Sequence, residues 1–322
     1  MITDLLPTDD QAMIADSIDA LLRDRLPVER LKDSANWGGA AERQIWDELA
    51  GLGLFGLGVA ADCGGVGFGL GEEVIVSRLA GYHLVSPSVI ATMIAAHLGD
   101  AAAYAGGRRA AFANPLPVGA GRVHLIDASE ADDLLLCTRN GSFLLPSGVS
   151  VDDASPMDET VSLGRAVLDT AAATTHGDGD ATFLRCEMLL AAYAAGIAAR
   201  AGEMAVEYAK VREQFGQPIG AFQAVKHSCA DMALRTEAAY SQVCYTAARA
   251  GDAAPDSAAS ATAKLLADDA ALANAKANIQ VHGGMGFTYE SDAHMLLKRA
   301  HLIAAIGDGT YVLQRRILGQ AA

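Results

Sequence analysis

A long helical pattern over residues 183–322 most constrains the fold of this chain. From Phe183 the sequence reads FLRCEMLLAAYAAGIAARAGEMAVEYAKVREQFG, and GAFQAVKHSCADMALRTEAAYSQVCYTAARAGD follows it. Apolar residues recur here at helical spacing, and alanine has the highest helix propensity and lets helices approach closely. A third helix begins at APDSAAS, where Asp256 or Ser257 can cap it. We therefore expect a C-terminal bundle of antiparallel helices over residues 183–322.

The rest of the chain divides into a helical part and a small β part. Residues 8–35 predict a first helix, and further helical segments continue to about residue 110. Short apolar runs separated by Gly, Asp, Asn and Pro follow, namely VHLIDA, DDLLLCTR and SFLLP. The predicted fold is mainly α with a small β middle domain. The predicted domains are 1–114 (helical), 115–182 (β) and 183–322 (helical bundle).

Composition excludes several classes of function. The net charge of −15 argues against nucleic acid, which needs a basic surface. No apolar run reaches the length of a membrane span, and the N-terminus is acidic, unlike a basic signal region. His294 and His301 lie two turns apart without an acidic ligand, so we predict no metal site. Five cysteines without a CxxC pair fit a reduced, cytoplasmic setting with mostly buried free thiols.

Two glycine-rich segments have different interpretations, one as a loop and the other as a helix end that a ligand can approach. CGGVGFGLG contains dinucleotide-fingerprint spacing, but no alternating βαβ pattern surrounds it, so we interpret it as a loop between helices. QVHGGMGFTYE lies at the end of a long helix, where one glycine would suffice as a C-cap. Its three glycines, Gly283, Gly284 and Gly286, also allow a ligand to lie against bare backbone.

Two charged residues are candidates for chemistry. In VREQFGQPIGAFQ, Arg212 can fork two hydrogen bonds to a pair of phosphates, and Phe215 offers a flat face. An arginine at a helix end is equally explained by solvation or by the helix dipole. Asp308 stands between Gly307 and Gly309, which fits either a catalytic base or a turn aspartate.

Together these segments resemble the acyl-CoA dehydrogenase family. The segment YAKVREQFGQPIGAFQAVKHSCADMALRTEAA resembles its most diagnostic helix–turn–helix, and QVHGGMGFTYE with KRAHLIAAIGDGTYVLQR resembles its C-terminal signature. LAGLGLFGLGVAADCGGVGFGLGEE resembles its N-terminal pattern, with Ala61-Asp62-Cys63 in place of the usual Pro-Glu. The resemblance implies a helical domain, a β domain and a four-helix bundle, assembled as a tetramer.

The resemblance also implies FAD, an acyl-CoA substrate and an electron-transfer flavoprotein as acceptor. In this family FAD crosses a subunit interface, and the residues here that match those serving the neighbouring subunit's flavin are Arg212, Gln214, Phe215, Gln223, Gln280, Gly283 and Gly284. Thr310 and Gln314 match positions that contact the cofactor from the acid's own subunit. Asp308 occupies the position of the base that removes the α-proton while flavin accepts hydride from Cβ.

Three departures from the family pattern bear on activity. Asp308 is one methylene shorter than the usual glutamate, and a displacement near 1 Å can cost about 10²-fold in rate. The alternative base position matches Cys186, with Glu187 one residue away, and neither is a convincing replacement. The flavin-binding Thr-Glu-Pro segment is missing, and Leu125-Ile126-Asp127 replaces a second motif, so that a carboxylate would face the flavin.

Three functions remain open on this evidence. The chain resembles the shortened subunit of the α2β2 dehydrogenases of steroid degradation, in which a full-length homologous subunit holds the base and the flavin ring. Alternatively, it is a self-sufficient homo-oligomer with Asp308 as base, acting on an acyl-CoA or, as in nitroalkane oxidases, on another substrate. The third possibility is an assembly subunit without catalysis, in which Asp308 is only a turn residue.

Overall fold

The computed structural model describes residues 5–116, 121–177, 179–251 and 253–320. In these described residues six α-helices precede a sheet, and five follow it. The first six are α1 (Asp9–Arg25), α2 (Ala40–Gln44), α3 (Trp46–Gly51), α4 (Leu70–Tyr82), α5 (Pro87–Ala96) and α6 (Ala101–Ala105). The last five are α7 (Gly179–Val211), α8 (Gln223–Ala250), α9 (Ser257–His282), α10 (Ala293–Ala304) and α11 (Thr310–Ile317).

Local capping chemistry sets two of the helix starts. Thr8 and Gln11 form a reciprocal capping box, in which each backbone N–H donates to the other side chain. The Asp256 carboxylate accepts the Ala259 N–H at 2.9 Å and begins α9, which confirms the expected cap.

The middle of the chain forms a seven-stranded sheet, in agreement with the predicted β region. Its strands are β1 (Ala110–Pro115), β2 (Arg122–Ile126), β3 (Asp133–Thr138), β4 (Gly141–Pro146), β5 (Asp152–Ala154), β6 (Leu163–Val167) and β7 (Thr175–Gly177). They lie in the order β5-β6-β2-β1-β3-β4-β7, and of these pairs β1 and β3 alone run parallel. The sheet therefore begins before the predicted boundary at residue 115.

Alternation along the strands gives the sheet two buried faces. Phe112, Ile126, Leu135 and Leu144 belong to the main core together with the helices. The neighbouring positions point the other way and form a separate apolar cluster, which includes Val123. Because side chains alternate with a period of two, a single strand supplies both clusters. One face of the sheet is thereby fixed against the helical bundle.

The C-terminal helices pack through small side chains. Buried alanines recur at four-residue spacing along α9, at positions 263, 267, 271 and 275, and α7 presents a similar alanine-rich surface to it. This spacing places them on one helix face, so that the two helices come close together. The bundle predicted from alanine content and periodicity is confirmed.

Three local expectations from the sequence are wrong. The first helix ends at Arg25, since Pro27 disfavours helical geometry in the residue before it. Among the five cysteines only Cys186 is buried. Helix α7 is long and apolar enough to match a membrane span, but 83% of its most apolar window is buried against other parts of the chain. Burial of this kind is what a core helix shows.

Helices α4 and α7 cross at two glycines. A Cβ placed on Gly196 would lie 2.0 Å from the carbonyl oxygen of Arg78, and one on Gly81 would lie 1.9 Å from that of Tyr193. Such distances are far inside van der Waals contact with backbone atoms, which cannot rotate away. The crossing therefore depends on the absence of a side chain at both positions.

We expect Gly196→Ala to lower the free energy of unfolding by about 2 kcal/mol or more, because the new methyl group forces α4 and α7 apart. Gly202→Ala is a matched control in the same helix, since its Cβ would meet only Met232 at 3.8 Å. There alanine should raise stability by up to about 1 kcal/mol through helix propensity. Urea denaturation measures both, and equal effects would contradict the role of the crossing.

Candidate functional site

Asp308 is part of a buried cluster of charges, so the flanking glycines do not leave it isolated. It lies in the loop between α10 and α11, where Gly307 has a φ of +85°. The Oδ2 atom of Asp308 accepts a hydrogen bond from Nη1 of Arg316 at 2.9 Å. Two turns of α11 bring this arginine back toward the acid. The carboxylate that the sequence offers as a base is therefore ion-paired.

Arg316 is also bound, more firmly, to Glu187 of helix α7. Its Nη1 and Nη2 atoms donate to the two carboxylate oxygens of Glu187 at 2.7 and 2.9 Å. Its remaining hydrogen bonds go to the hydroxyl and the carbonyl oxygen of Ser257. A two-pronged pair of this kind fixes both position and orientation. One guanidinium thus serves two carboxylates and the start of α9.

The electrostatics of the cluster follow from its burial. The Glu187 and Arg316 side chains are each 3% exposed, and Asp308 is 17% exposed. Burial raises the pKa of Glu187, with a further contribution from the Asp308 charge, while Arg316 acts in the opposite direction. For Arg316, the two carboxylates outweigh burial and raise its pKa, so it keeps its charge. Sequence reasoning did not single out Arg316. The signal for it is an arginine in the second turn of the helix that follows Gly307-Asp308-Gly309.

Asp308 borders an open cleft of about 570 Å³ between the sheet and the bundle. The cleft is lined by Asn114, Pro115, Cys137, Thr138, Arg139, Asn140, Asp180, Phe183, Gly307 and Val312 together with the acid. Behind it lies a much smaller hole of about 10 Å³ against Cys186 and Glu187, room for about one water molecule. Thr310 and Gln314 lie nearby on α11, and both are exposed.

Arg212 lies far from this cluster, at the other end of α7. The chain leaves the helix there and forms a tight hairpin of β8 (Glu213–Gln214) and β9 (Gln217–Pro218). Phe215 and Gly216 form its turn, both with positive φ, the geometry that favours a two-residue hairpin. Phe215 is 92% exposed, and Gln214 and Gln223 are exposed as well.

The glycine-rich end of α9 lies beside this hairpin. Gly283 follows the helix with a φ of +61°, and a Cβ on either Gly283 or Gly284 would meet nothing within 4 Å. The rings of Tyr208, near the end of α7, and His282, at the end of α9, stack with centroids 4.2 Å apart. This stack holds the ends of α7 and α9 together. Exposed Gln280 lies on the last turn of α9.

The predicted site residues therefore form two groups. Asp308, Thr310 and Gln314 lie near the first turns of α7, whereas the second group, at its far end, contains Arg212, Gln214, Phe215, Gln223, Gln280, Gly283 and Gly284. A helix rises 1.5 Å per residue, so Glu187 and Arg212 are about 37 Å apart along α7. The helix keeps the two groups apart rather than bringing them together.

Asp127 does not face a cofactor site, contrary to the expectation from the sequence. Its carboxylate is buried and accepts hydrogen bonds from the Ser86 hydroxyl at 2.6 Å and from the Ser162 N–H at 2.7 Å. Its backbone has a φ of +50°. Burial raises its pKa to about 6. The residue ties the sheet to the start of α5.

Comparison with known proteins gives a consistent result over most of the chain. Residues 8–110 and 182–322 match the family models described as acyl-CoA dehydrogenase, N-terminal domain and C-terminal domain. Acyl-CoA dehydrogenase FadE34 of Mycobacterium tuberculosis is 37% identical over 87% of this chain, which spans 43% of that protein. Acyl-CoA dehydrogenase IpdE2 of the same organism is 28% identical, covering 97% of this chain and 98% of that one. A solved structure, the Tcur3481-Tcur3483 steroid ACAD, aligns with a TM-score of 0.82 and 24% identity over 97% of each chain.

Asp127 should make stability depend on pH in a specific direction. Its pKa is about 6 in the folded protein against an ordinary 3.8, so the folded state binds the proton more tightly. The free energy of unfolding should therefore fall by about 3 kcal/mol as pH rises from about 4 to about 6. Urea denaturation of Asp127→Asn should lack this fall, and exposed Asp152→Asn controls for loss of a carboxylate. An unchanged pH dependence in Asp127→Asn would contradict the assignment.

Proposed function

The chain belongs to the acyl-CoA dehydrogenase family, and on that premise we propose that it is the small subunit of a heteromeric, FAD-dependent enzyme. In this proposal it completes the flavin site of a longer homologous partner, and the complex dehydrogenates an acyl-CoA thioester between Cα and Cβ. The observation that carries the proposal is the separation of the two groups of site residues. In this proposal the two groups, about 37 Å apart along one helix, serve two different flavins.

The group around Arg212 fits the diphosphate and adenosine half of FAD. Within the described part of the chain, the Arg212 guanidinium has no side-chain partner, so its fork is free for two phosphates. Gly283 and Gly284 leave backbone open to close approach, and Phe215 presents an exposed ring. All of these groups face outward, where a second subunit would meet them. When bound, FAD supplies the acceptor for the hydride that leaves Cβ.

The group around Asp308 fits catalysis by this chain less well. A general base needs a carboxylate that is free to take up a proton from the substrate. Here Arg316 holds Asp308 in an ion pair that is itself fixed by Glu187. Protonation of Asp308 would leave the arginine with less counter-charge in a buried place. We therefore assign the base of the active complex to the partner subunit.

We propose the substrate and the electron acceptor from the relatives. A bulky acyl-CoA, such as one derived from a steroid, is supported by the structural neighbour described as a steroid ACAD. An electron-transfer flavoprotein is the acceptor that the family implies. A tetramer of two chains of each kind would give every flavin one subunit for its ring and another for its adenosine half.

Arg212→Ala tests directly whether the group around Arg212 binds the flavin of the partner subunit. In a complex copurified with the partner, we expect flavin occupancy to fall at least about tenfold, because a charge-assisted fork worth about 1.5–3 kcal/mol is lost. Flavin absorbance per complex measures this. Arg249→Ala removes the same charge at the far end of α8 and should leave occupancy unchanged. Full occupancy in Arg212→Ala would rule out the proposed role.

A self-sufficient enzyme with Asp308 as base is the second candidate, favoured by the open cleft beside that residue. If the partner supplies the base, Asp308→Asn should reduce turnover of the complex less than about tenfold, whereas losing a general base costs about 10²–10⁴-fold. Asp180→Asn, in the same cleft, is the matched control. Steady-state turnover at matched flavin occupancy distinguishes the two, and a large loss confined to Asp308→Asn would favour the second candidate.

A further inference from the structure

Asn114 joins the sheet to the loop that carries Asp308. This residue lies on β1, and its Nδ2 atom donates to the carbonyl oxygen of Ala305 at 2.8 Å. In return, the backbone N–H of Gly307 donates to its Oδ1 atom at 3.3 Å. Both ends of the side-chain amide are therefore used across the boundary between the sheet and the bundle.

The same side chain divides the space between sheet and bundle. On one side lies a cavity of about 190 Å³, bordered by His124 and Ile126 of β2 and by Lys298 of α10. On the other side lies the cleft of about 570 Å³ beside Asp308. Asn114 lines both of these spaces and also the hole of about 10 Å³ beside Asp308. We call these adjoining spaces the crevice, and the hydrogen-bonded amide of Asn114 borders all three of them.

We propose that Asn114 is a latch that closes this crevice to a flavin ring. The family implies a flavin ring beside the acid of the same subunit, and a planar ring system needs a continuous slot between sheet and bundle. The latched amide of Asn114 interrupts that slot, so the residues present do not fit the ring. This inference rests on the proposed function, since it explains why such a chain would serve only a partner's flavin.

The experiment uses the chain alone and riboflavin as probe. Riboflavin carries the ring without diphosphate or adenosine, so the Arg212 group cannot contribute to its binding. Fluorescence titration should show Asn114→Ala and Asn114→Ser binding riboflavin at least about tenfold more tightly than the unaltered chain, as expected for removing a barrier of two hydrogen bonds. Asn140→Ala, in the same cleft but outside the latch, should behave as the unaltered chain.

Hydrogen exchange confirms that the latch has opened in a folded protein. The Gly307 amide should exchange about tenfold faster in Asn114→Ala, because it loses its acceptor, while the Ser162 amide held by Asp127 should not change. The latch would be overturned if the unaltered chain and both Asn114 variants bound riboflavin equally, whether all three bind it tightly or none binds it. If the proposed role of the Arg212 group were wrong, this would appear separately, as full flavin occupancy in the Arg212→Ala complex.

Discussion

All three regions of the chain meet at the guanidinium of Arg299, which is 1% exposed. Its Nε donates to Asp158 at 2.6 Å, and Nη2 donates to the Thr160 hydroxyl at 2.9 Å, which secures the sheet region. Nη1 donates to the Tyr193 hydroxyl on α7 and to the carbonyl oxygen of Leu84, between the N-terminal helices α4 and α5. A buried charge is tolerated only when its partners satisfy it, and removing one costs about 3–5 kcal/mol. The relative placement of sheet and bundle, and hence the crevice between them, depends on this cluster.

Helix α7 holds the two groups of predicted site residues at its opposite ends. It is 33 residues long and lies in the core, so its two ends cannot approach each other. At its start Glu187 meets Arg316 and the acid loop, and at its end the Tyr208–His282 stack aligns the glycine-rich turn with the Arg212 hairpin. A rigid spacer of this length keeps the two groups apart.

Local signals in the sequence predicted the local structure and failed for contacts between distant segments. The cap at Asp256, the apolar periodicity of the C-terminal helices and the turn signals between strands each depend on residues a few positions apart, and each predicts the structure correctly. Arg316 with Glu187 and Asn114 with Ala305 are separated by 129 and 191 positions, and nothing in either segment indicates the other. Only the folded chain shows that the acid is paired and that the crevice is divided.

These two distant contacts act on the same crevice by different means. The Arg316 pair is electrostatic: Arg316 gives the ionised Asp308 carboxylate a counter-charge, and this stabilisation is lost when Asp308 takes up a proton. Asn114 is instead a steric and hydrogen-bonded barrier between the sheet and the loop that carries Asp308. The two contacts arise from different elements, α11 and β1, so neither is a by-product of the other. At the far end of α7, by contrast, Arg212 and Phe215 are both exposed. The group at the start of α7 is therefore tied to neighbouring elements by long-range contacts, whereas the group at its far end is exposed.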